Sequence, residues 1–305
     1  MKKRIMLGVG ISALVLMTLC AIVYFISRAP KPAEVELGLN LPLPDNPIVF
    51  RVEDGSRTTL GFIDPDGSNF TTREIDISLT RDRSFQVAEQ TTWGSDGTFL
   101  VTGLANDWLN AGEVIPVVIT DNGETRFCKD FRLFGSLWGI DSTHLLTTND
   151  HAGGAPEHPQ IVTLNMETCR IEDVLYTSSN GIGFFSMSSD GWIAHEKRDD
   201  IGIVVLDNQG RLVFEIDDAL LPNWSRDGEW LAYDSYNQGT QDGIKIVNRS
   251  GSDTQVITDV GSHPWWSPDG KWLVYYTGAN EIYKININTN EKVLLYSGGR
   301  YPTWR

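Results

Sequence analysis

The densest group of ligand-type side chains in the sequence is Asp150-His151-Ala-Gly-Gly-Ala-Pro-Glu157-His158-Pro, four potential donors in nine residues. Imidazole and carboxylate are suitable donors for Zn²⁺ or a similar ion, which makes His151 and His158 the candidate metal ligands. The same segment is rich in Gly and Pro, as long connecting loops are, and this favours a solvated loop over a metal site. A second segment, Gly103-Leu-Ala-Asn-Asp107-Trp108-Leu-Asn-Ala-Gly112-Glu113, carries an aromatic side chain within another long connection. Together the two segments supply a binding edge, with Trp108 as apolar anchor and Asp107, Asp150 and Glu157 as polar rim. Asp64-Pro-Asp66-Gly67-Ser-Asn69 has the acidic spacing of a calcium loop, but Ile75 stands where the twelfth-position Glu would be, so it reads as a hairpin turn. The sequence has no Gly-x-Ser-x-Gly elbow. No catalytic residue is assigned, no cofactor is evident, and a metal ion stays open.

These segments interrupt a repeat, which must position them. A short phrase returns six times: Trp93-Gly-Ser-Asp96-Gly, Trp138-Gly-Ile-Asp141-Ser, Met187-Ser-Ser-Asp190-Gly, Trp224-Ser-Arg-Asp227-Gly, Trp266-Ser-Pro-Asp269-Gly and Pro302-Thr-Trp304-Arg305. Successive copies are 45, 49, 37, 42 and 38 residues apart, the period of four-stranded propeller blades. In Pro222-Asn-Trp224-Ser-Arg-Asp227-Gly228-Glu-Trp230-Leu-Ala-Tyr233 an apolar run enters a turn and an alternating run leaves it, a hairpin signature. Asp can bond backbone within such a turn, and Gly takes a positive φ there without steric cost. Two further apolar runs complete four strands per repeat. Tyr301 to Trp304 supplies only a first strand, while the segment from Ile48 to Ile75 lacks one, so joining them completes a blade and covers a sheet edge. The expectation is an all-β, six-bladed β-propeller over residues 48–305, closed by its C-terminal strand. The tryptophans in phase with the repeat, Trp93, Trp138, Trp224, Trp266 and Trp304, are expected between blades. Trp108, Trp192, Trp230, Trp265 and Trp272 are out of phase, and an exposed subset would form a stacking platform.

The phrases Pro264-Trp-Trp266-Ser-Pro-Asp269-Gly270-Lys-Trp-Leu-Val-Tyr275 and Pro222-Asn-Trp224-Ser-Arg-Asp227-Gly228 resemble the repeat of TolB-type, WD-repeat-like β-propellers, and Asp66-Gly67-Ser68-Asn69 resembles the turn before their outer strand. The resemblance covers roughly residues 47–305 and is strongest in the last two full repeats. It is to the propeller alone: the additional α/β domain that precedes the propeller in TolB has no room here.

Before the propeller, Met1-Lys2-Lys3-Arg4 leads into an uncharged stretch from Ile5 to Ile26. As a helix it is about 33 Å long, enough to cross a hydrocarbon core. The basic cluster before it places residues 1–4 in the cytoplasm and the propeller outside. An uncleaved signal-anchor is favoured over a cleaved signal, because Pro30 follows the formal cleavage site Ser27-Arg28-Ala29. Residues 29–47 hold five prolines and read as a semi-rigid linker. The net charge is −15 for the chain, and because residues 1–31 hold five basic and no acidic side chains it is −20 for residues 32–305. That charge argues against nucleic acid and against docking on anionic headgroups. Cys128 and Cys169 fall near the outer strands of successive blades, whose edges splay apart with radius, so two unpaired thiols are expected. The functional reading is a single-pass, membrane-anchored extracytoplasmic propeller, periplasmic or at the cell surface, that serves as a scaffold for a protein or envelope ligand. A propeller enzyme acting on envelope polysaccharide or peptide, and a sensor or accessory subunit, are the alternatives.

Overall fold

The computed structural model of the protein describes residues 47–52, 59–74, 86–94, 99–105, 114–120, 125–128, 137–149, 158–179, 181–198 and 200–305. All belong to one compact unit, Leu37–Arg305. The expected stub, membrane span and all of the linker before Pro47 lie outside the described residues, as do Asp96, Asp107, Trp108, Asp150, His151 and Glu157.

Every described element is a strand, and the strands form four-stranded antiparallel sheets. In chain order the first sheet holds β1 (Ile48–Val52), β2 (Thr59–Ile63) and β3 (Thr71–Glu74), and its innermost place is taken by the last strand of the chain, β24 (Gly299–Trp304). The second holds β4 (Gln86–Trp93), β5 (Phe99–Ala105), β6 (Val114–Thr120) and β7 (Thr125–Phe127). The third holds β8 (Leu137–Gly139), β9 (His144–Asn149), β10 (Gln160–Asn165) and β11 (Arg170–Thr177), and the fourth β12 (Ile182–Met187), β13 (Ile193–Lys197), β14 (Gly202–Leu206) and β15 (Leu212–Asp217). The fifth holds β16 (Ala219–Trp224), β17 (Trp230–Asn237), β18 (Thr240–Asn248) and β19 (Thr254–Thr258). The sixth holds β20 (Ser262–Trp266), β21 (Trp272–Tyr276), β22 (Glu281–Asn286) and β23 (Lys292–Ser297). The innermost strands touch in succession, β4 to β8, β12, β16, β20 and β24, and β24 returns to β4. The fold is a β-propeller.

Local chemistry explains why the repeated phrase makes this turn. Ser225 Oγ donates to Asp227 Oδ1 at 2.6 Å and accepts from the Trp230 N–H at 3.0 Å, while Asp227 Oδ1 accepts from the Glu229 N–H at 3.1 Å. Gly228 supplies the left-handed residue at φ 71°. The arrangement recurs at Ser267, Asp269 and Trp272, and at Ser188, Asp190 and Trp192. In the third sheet Gly139 replaces Ser, and Asp141 Oδ1 alone caps the turn through the N–H groups of Thr143 and His144.

Packing is between sheet faces. Ile48, Phe50 and Trp304 of the first sheet pack on Val274 and Ile282 of the sixth. Trp224, Leu231 and Val247 pack on Ala194, Ile203 and Val205, and Trp266, Leu273 and Tyr275 on Ala232, Ile244 and Ile246. Because both faces of a strand in the middle of a sheet are covered, β14 reads as a continuous apolar run and is buried throughout, whereas outer β11 is exposed along nearly its whole length.

Cys128 and Cys169 form a disulfide with a Cα–Cα distance of 5.4 Å, against the expectation of free thiols. The splaying argument compared equivalent strand edges. Cys169 is instead in the hairpin turn between β10 and β11, at φ 53°, and this turn reaches back to Cys128, which directly follows outer strand β7 of the preceding sheet and is fully buried. The bridge ties the second sheet to the third.

Candidate functional site

The inner strands enclose a channel that aromatic side chains close. The rings of Trp138, from β8, and Trp265, from β20, stack with centroids 5.5 Å apart. The Trp265 indole N–H donates to the Trp304 carbonyl at 3.1 Å, which fixes the ring. Among the described residues two recesses flank the pair, and both tryptophans line each of them. One, of about 80 Å³, opens among the repeated turns, beside Ser189, Arg226, Pro268 and Arg305. The other, of about 50 Å³, opens on the opposite side among Leu221, Pro222, His263, Pro264, Tyr301 and Pro302.

The second recess has the more unusual chemistry. Leu221, His263 and Tyr301 occupy equivalent places near the start of β16, β20 and β24, each before a proline, and each has a positive φ of 55°, 56° and 53°. Such a conformation is costly for non-glycine residues and persists only where surroundings hold it. Buried carboxylates hold two of the three. Glu196 Oε1 accepts the Leu221 N–H at 2.6 Å and Oε2 the Phe184 N–H at 3.1 Å. Asp234 Oδ1 accepts the His263 N–H at 3.0 Å, and its Oδ2 bonds Ser262 Oγ and accepts from Gln241 Nε2 at 2.9 Å. Ser262 Oγ is also 2.7 Å from His263 Nδ1. The His263 ring is 5.3 Å from Tyr276 and 4.8 Å from Tyr301, and the Arg51 guanidinium is 5.0 Å above the Tyr301 ring.

Burial dominates the electrostatics. It pushes Asp234 from its ordinary 3.8 up to about 8 and Glu196 up to about 7, although both accept N–H bonds that favour the anion, and it pushes His263 down to about 3. The raised carboxylates contribute stability that is complete below their unfolded values near 4 and is lost as pH rises through about 7 and about 8. The depressed histidine acts oppositely: below about 6.5 the unfolded chain takes a proton that the folded chain refuses, so acid destabilises. Above pH 4 the two carboxylates outweigh the one histidine, so the melting temperature is expected to peak near pH 4 to 5 and to fall by about 5 °C between pH 6 and 9. Calorimetry across that range checks this, and Asp234→Asn with Glu196→Gln should flatten the alkaline limb.

None of these groups was among the residues singled out from sequence. The signal lay in register: three positions beyond the residue paired with the inner Trp or Met, the second strands carry Arg51, Glu196, Asp234 and Tyr276. Of the residues expected to form the binding rim or hold a metal, only His158 is described; it is exposed, just ahead of β10. The strand ends on either side of that loop, Asn149 and Gln160, are joined by a 3.3 Å side-chain bond. Among the described residues no group of three or more His, Cys, Asp or Glu side chains is placed to hold a metal. Of the out-of-phase tryptophans, Trp265 closes the channel, Trp192 carries the Arg249 guanidinium at 4.1 Å, and Trp272 carries Lys284 Nζ at 4.4 Å. Trp230 packs against the core between the fifth and sixth sheets.

No family model matches the chain, and no curated protein matches it in sequence. Solved structures do match in fold. TolB from Acinetobacter baumannii aligns with a TM-score of 0.62 at 17% identity over 85% of this chain. The chain spans 66% of that protein's length. A putative TolB from Agrobacterium tumefaciens aligns with a TM-score of 0.55 at 15% identity, over 84% of this chain and 92% of that one. A putative 6-phosphogluconolactonase from Bacteroides uniformis aligns with a TM-score of 0.54 at 12% identity, over 86% of this chain and all of that one. At these identities the likeness is one of fold.

Proposed function

We propose that the chain is a membrane-anchored, extracytoplasmic β-propeller of six blades, over residues 48–305, that binds a protein or envelope ligand on the face bearing the His263 recess. The observation that carries this reading is the closed channel: the Trp138–Trp265 stack leaves shallow surfaces suited to a partner's side chains rather than a deep chamber for chemistry. The likeness to TolB propellers supports a scaffold, and the Cys128–Cys169 bridge suits an oxidising compartment outside the cytoplasm. The apolar stretch from Ile5 to Ile26 supplies the anchor, with residues 1–4 cytoplasmic and 29–47 as spacer.

The connections 106–113 and 150–159 join second to third strands, and those strand ends belong to the same face as the His263 recess. Trp108, Asp107, Asp150 and Glu157 then form the rim of the binding surface. Replacing Trp108 by Ala and shortening the 150–158 loop should each cut cross-linked partner recovered from carbonate-washed membranes at least tenfold, with the melting temperature nearly unchanged. Full recovery by both variants would move binding to the opposite face, and loss of the parent itself to the carbonate wash would remove the anchor.

A further inference from the structure

We propose that His263, Ser262 and Asp234 form a proton relay that reverses the hydrogen-bonding polarity of the recess. The relay rests on the binding reading only for its biological use, because its geometry and its test involve no ligand.

Ser262 Oγ bridges Asp234 Oδ2 and His263 Nδ1, and a hydroxyl has one proton to give. The Tyr276 hydroxyl also bonds Ser262, and with it as a donor to Oγ throughout two arrangements follow. With Asp234 ionised, Ser262 donates to the carboxylate and His263 donates from Nδ1–H to Ser262 Oγ, which leaves Nε2 a bare acceptor. With Asp234 protonated, the carboxyl donates to Ser262 Oγ and Ser262 donates to Nδ1, which requires the proton of the neutral imidazole on Nε2. Conversion from the first to the second takes one proton at Nε2 and passes one from Nδ1 to Ser262 and one from Ser262 to Asp234. The net change is one proton gained by the cluster, and the imidazole is neutral at both ends. His263 is half-buried and lines the recess, and with Nδ1 on Ser262 its Nε2 is the ring nitrogen left to meet solvent or a ligand. The recess thus presents an acceptor when Asp234 is ionised and a donor when it is protonated.

The surroundings favour this route over formation of an imidazolium. Burial raises Asp234 and lowers His263, so an added proton comes to rest on the carboxylate. The groups facing Asp234 are Gln241 from β18, Ser262 and the His263 N–H from β20, Tyr276 from β21, Tyr236 from its own strand, and the Glu196 charge from β13. Those facing His263 are the rings of Tyr276 and Tyr301, with Arg300 acting on Tyr276. The strained φ of His263 keeps its N–H on Asp234 Oδ1 in either state, so the exchange needs no backbone movement.

The test is ¹⁵N NMR of the full chain labelled at histidine, followed between pH 5.5 and 9.5 with His263 assigned by His263→Gln. The expected result is exchange of the bare and protonated nitrogens, Nε2 bare at high pH and protonated at low pH, along one single-proton curve. Ser262→Ala should abolish the exchange while leaving the fold intact, and Asp234→Asn should hold one tautomer throughout. A single tautomer in the parent across the range, an imidazolium signal at its midpoint, or an unaltered exchange in Ser262→Ala would each overturn the relay. Full recovery of the partner by the Trp108 variant, which would overturn the binding reading, bears on none of these readouts.

Discussion

Removal of β24 is expected to abolish cooperative unfolding of the propeller, and Trp304→Ala alone to lower its stability by about 3–5 kcal/mol. The strand is last in sequence and innermost in its sheet, paired with β1 through Ile48–Trp304, Val49–Thr303 and Arg51–Arg300. It also touches β4, β20, β21 and β22, so two neighbouring sheets lose a face when it goes. Trp304 is nearly buried, in the cluster that joins Ile48 and Phe50 to Val274 and Ile282. Without the strand, β1 presents an unpaired inner edge, which is a template for association with other chains. Calorimetry of the Ala variant should show a melting temperature about 10 °C lower, and sizing of the protein lacking residues 299–305 should show aggregates. A truncated protein that melts at the parent's midpoint would mean that the ring does not depend on this closure.

The strand and turn pattern was legible because its causes are local. Ser225, Asp227 and Gly228 close their own hairpin with bonds spanning five residues or fewer, so the same letters recur wherever the same turn is made. Closure by the C-terminal strand was legible for a related reason: a first strand without its blade and a blade without its first strand are both visible in sequence. What depends on one sheet meeting the next was not legible. The disulfide joins a strand end to a hairpin turn 41 residues on, and only the offset between neighbouring sheets brings them together. Glu196 and Asp234 look like ordinary strand carboxylates in Trp192-Ile-Ala-His-Glu196 and Trp230-Leu-Ala-Tyr-Asp234. Each becomes an anchor because the left-handed N–H of Leu221 or His263 arrives from the adjoining sheet. Trp265 was read as a possible stacking platform; its partner is another residue of this chain, Trp138, reached across the channel.

That pair sets the second large expectation. Trp265→Ala should destabilise the protein by about 3–5 kcal/mol and connect the two recesses into an open channel. Three contributions are lost together: the stack on Trp138, the N–H bond to the Trp304 carbonyl at 3.1 Å, and packing against the first-sheet and sixth-sheet core. The lost bond leaves an inner-strand carbonyl to find water, which the widened recess can now supply, so the penalty belongs mainly to packing. Trp138→Ala removes the same stack but no such bond, and Trp138 packs instead with Leu146, Ile161 and Phe185. The double variant should cost about 0.5–1.5 kcal/mol less than the sum of the singles, the share belonging to the stack itself. Denaturant unfolding gives these values, and acrylamide quenching gives the geometry: in Trp265→Ala the Trp138 indole becomes accessible from both faces and total quenching rises despite the loss of one fluorophore. Strict additivity of the two substitutions, with quenching unchanged, would mean that the rings do not support one another and that the channel is closed by something else.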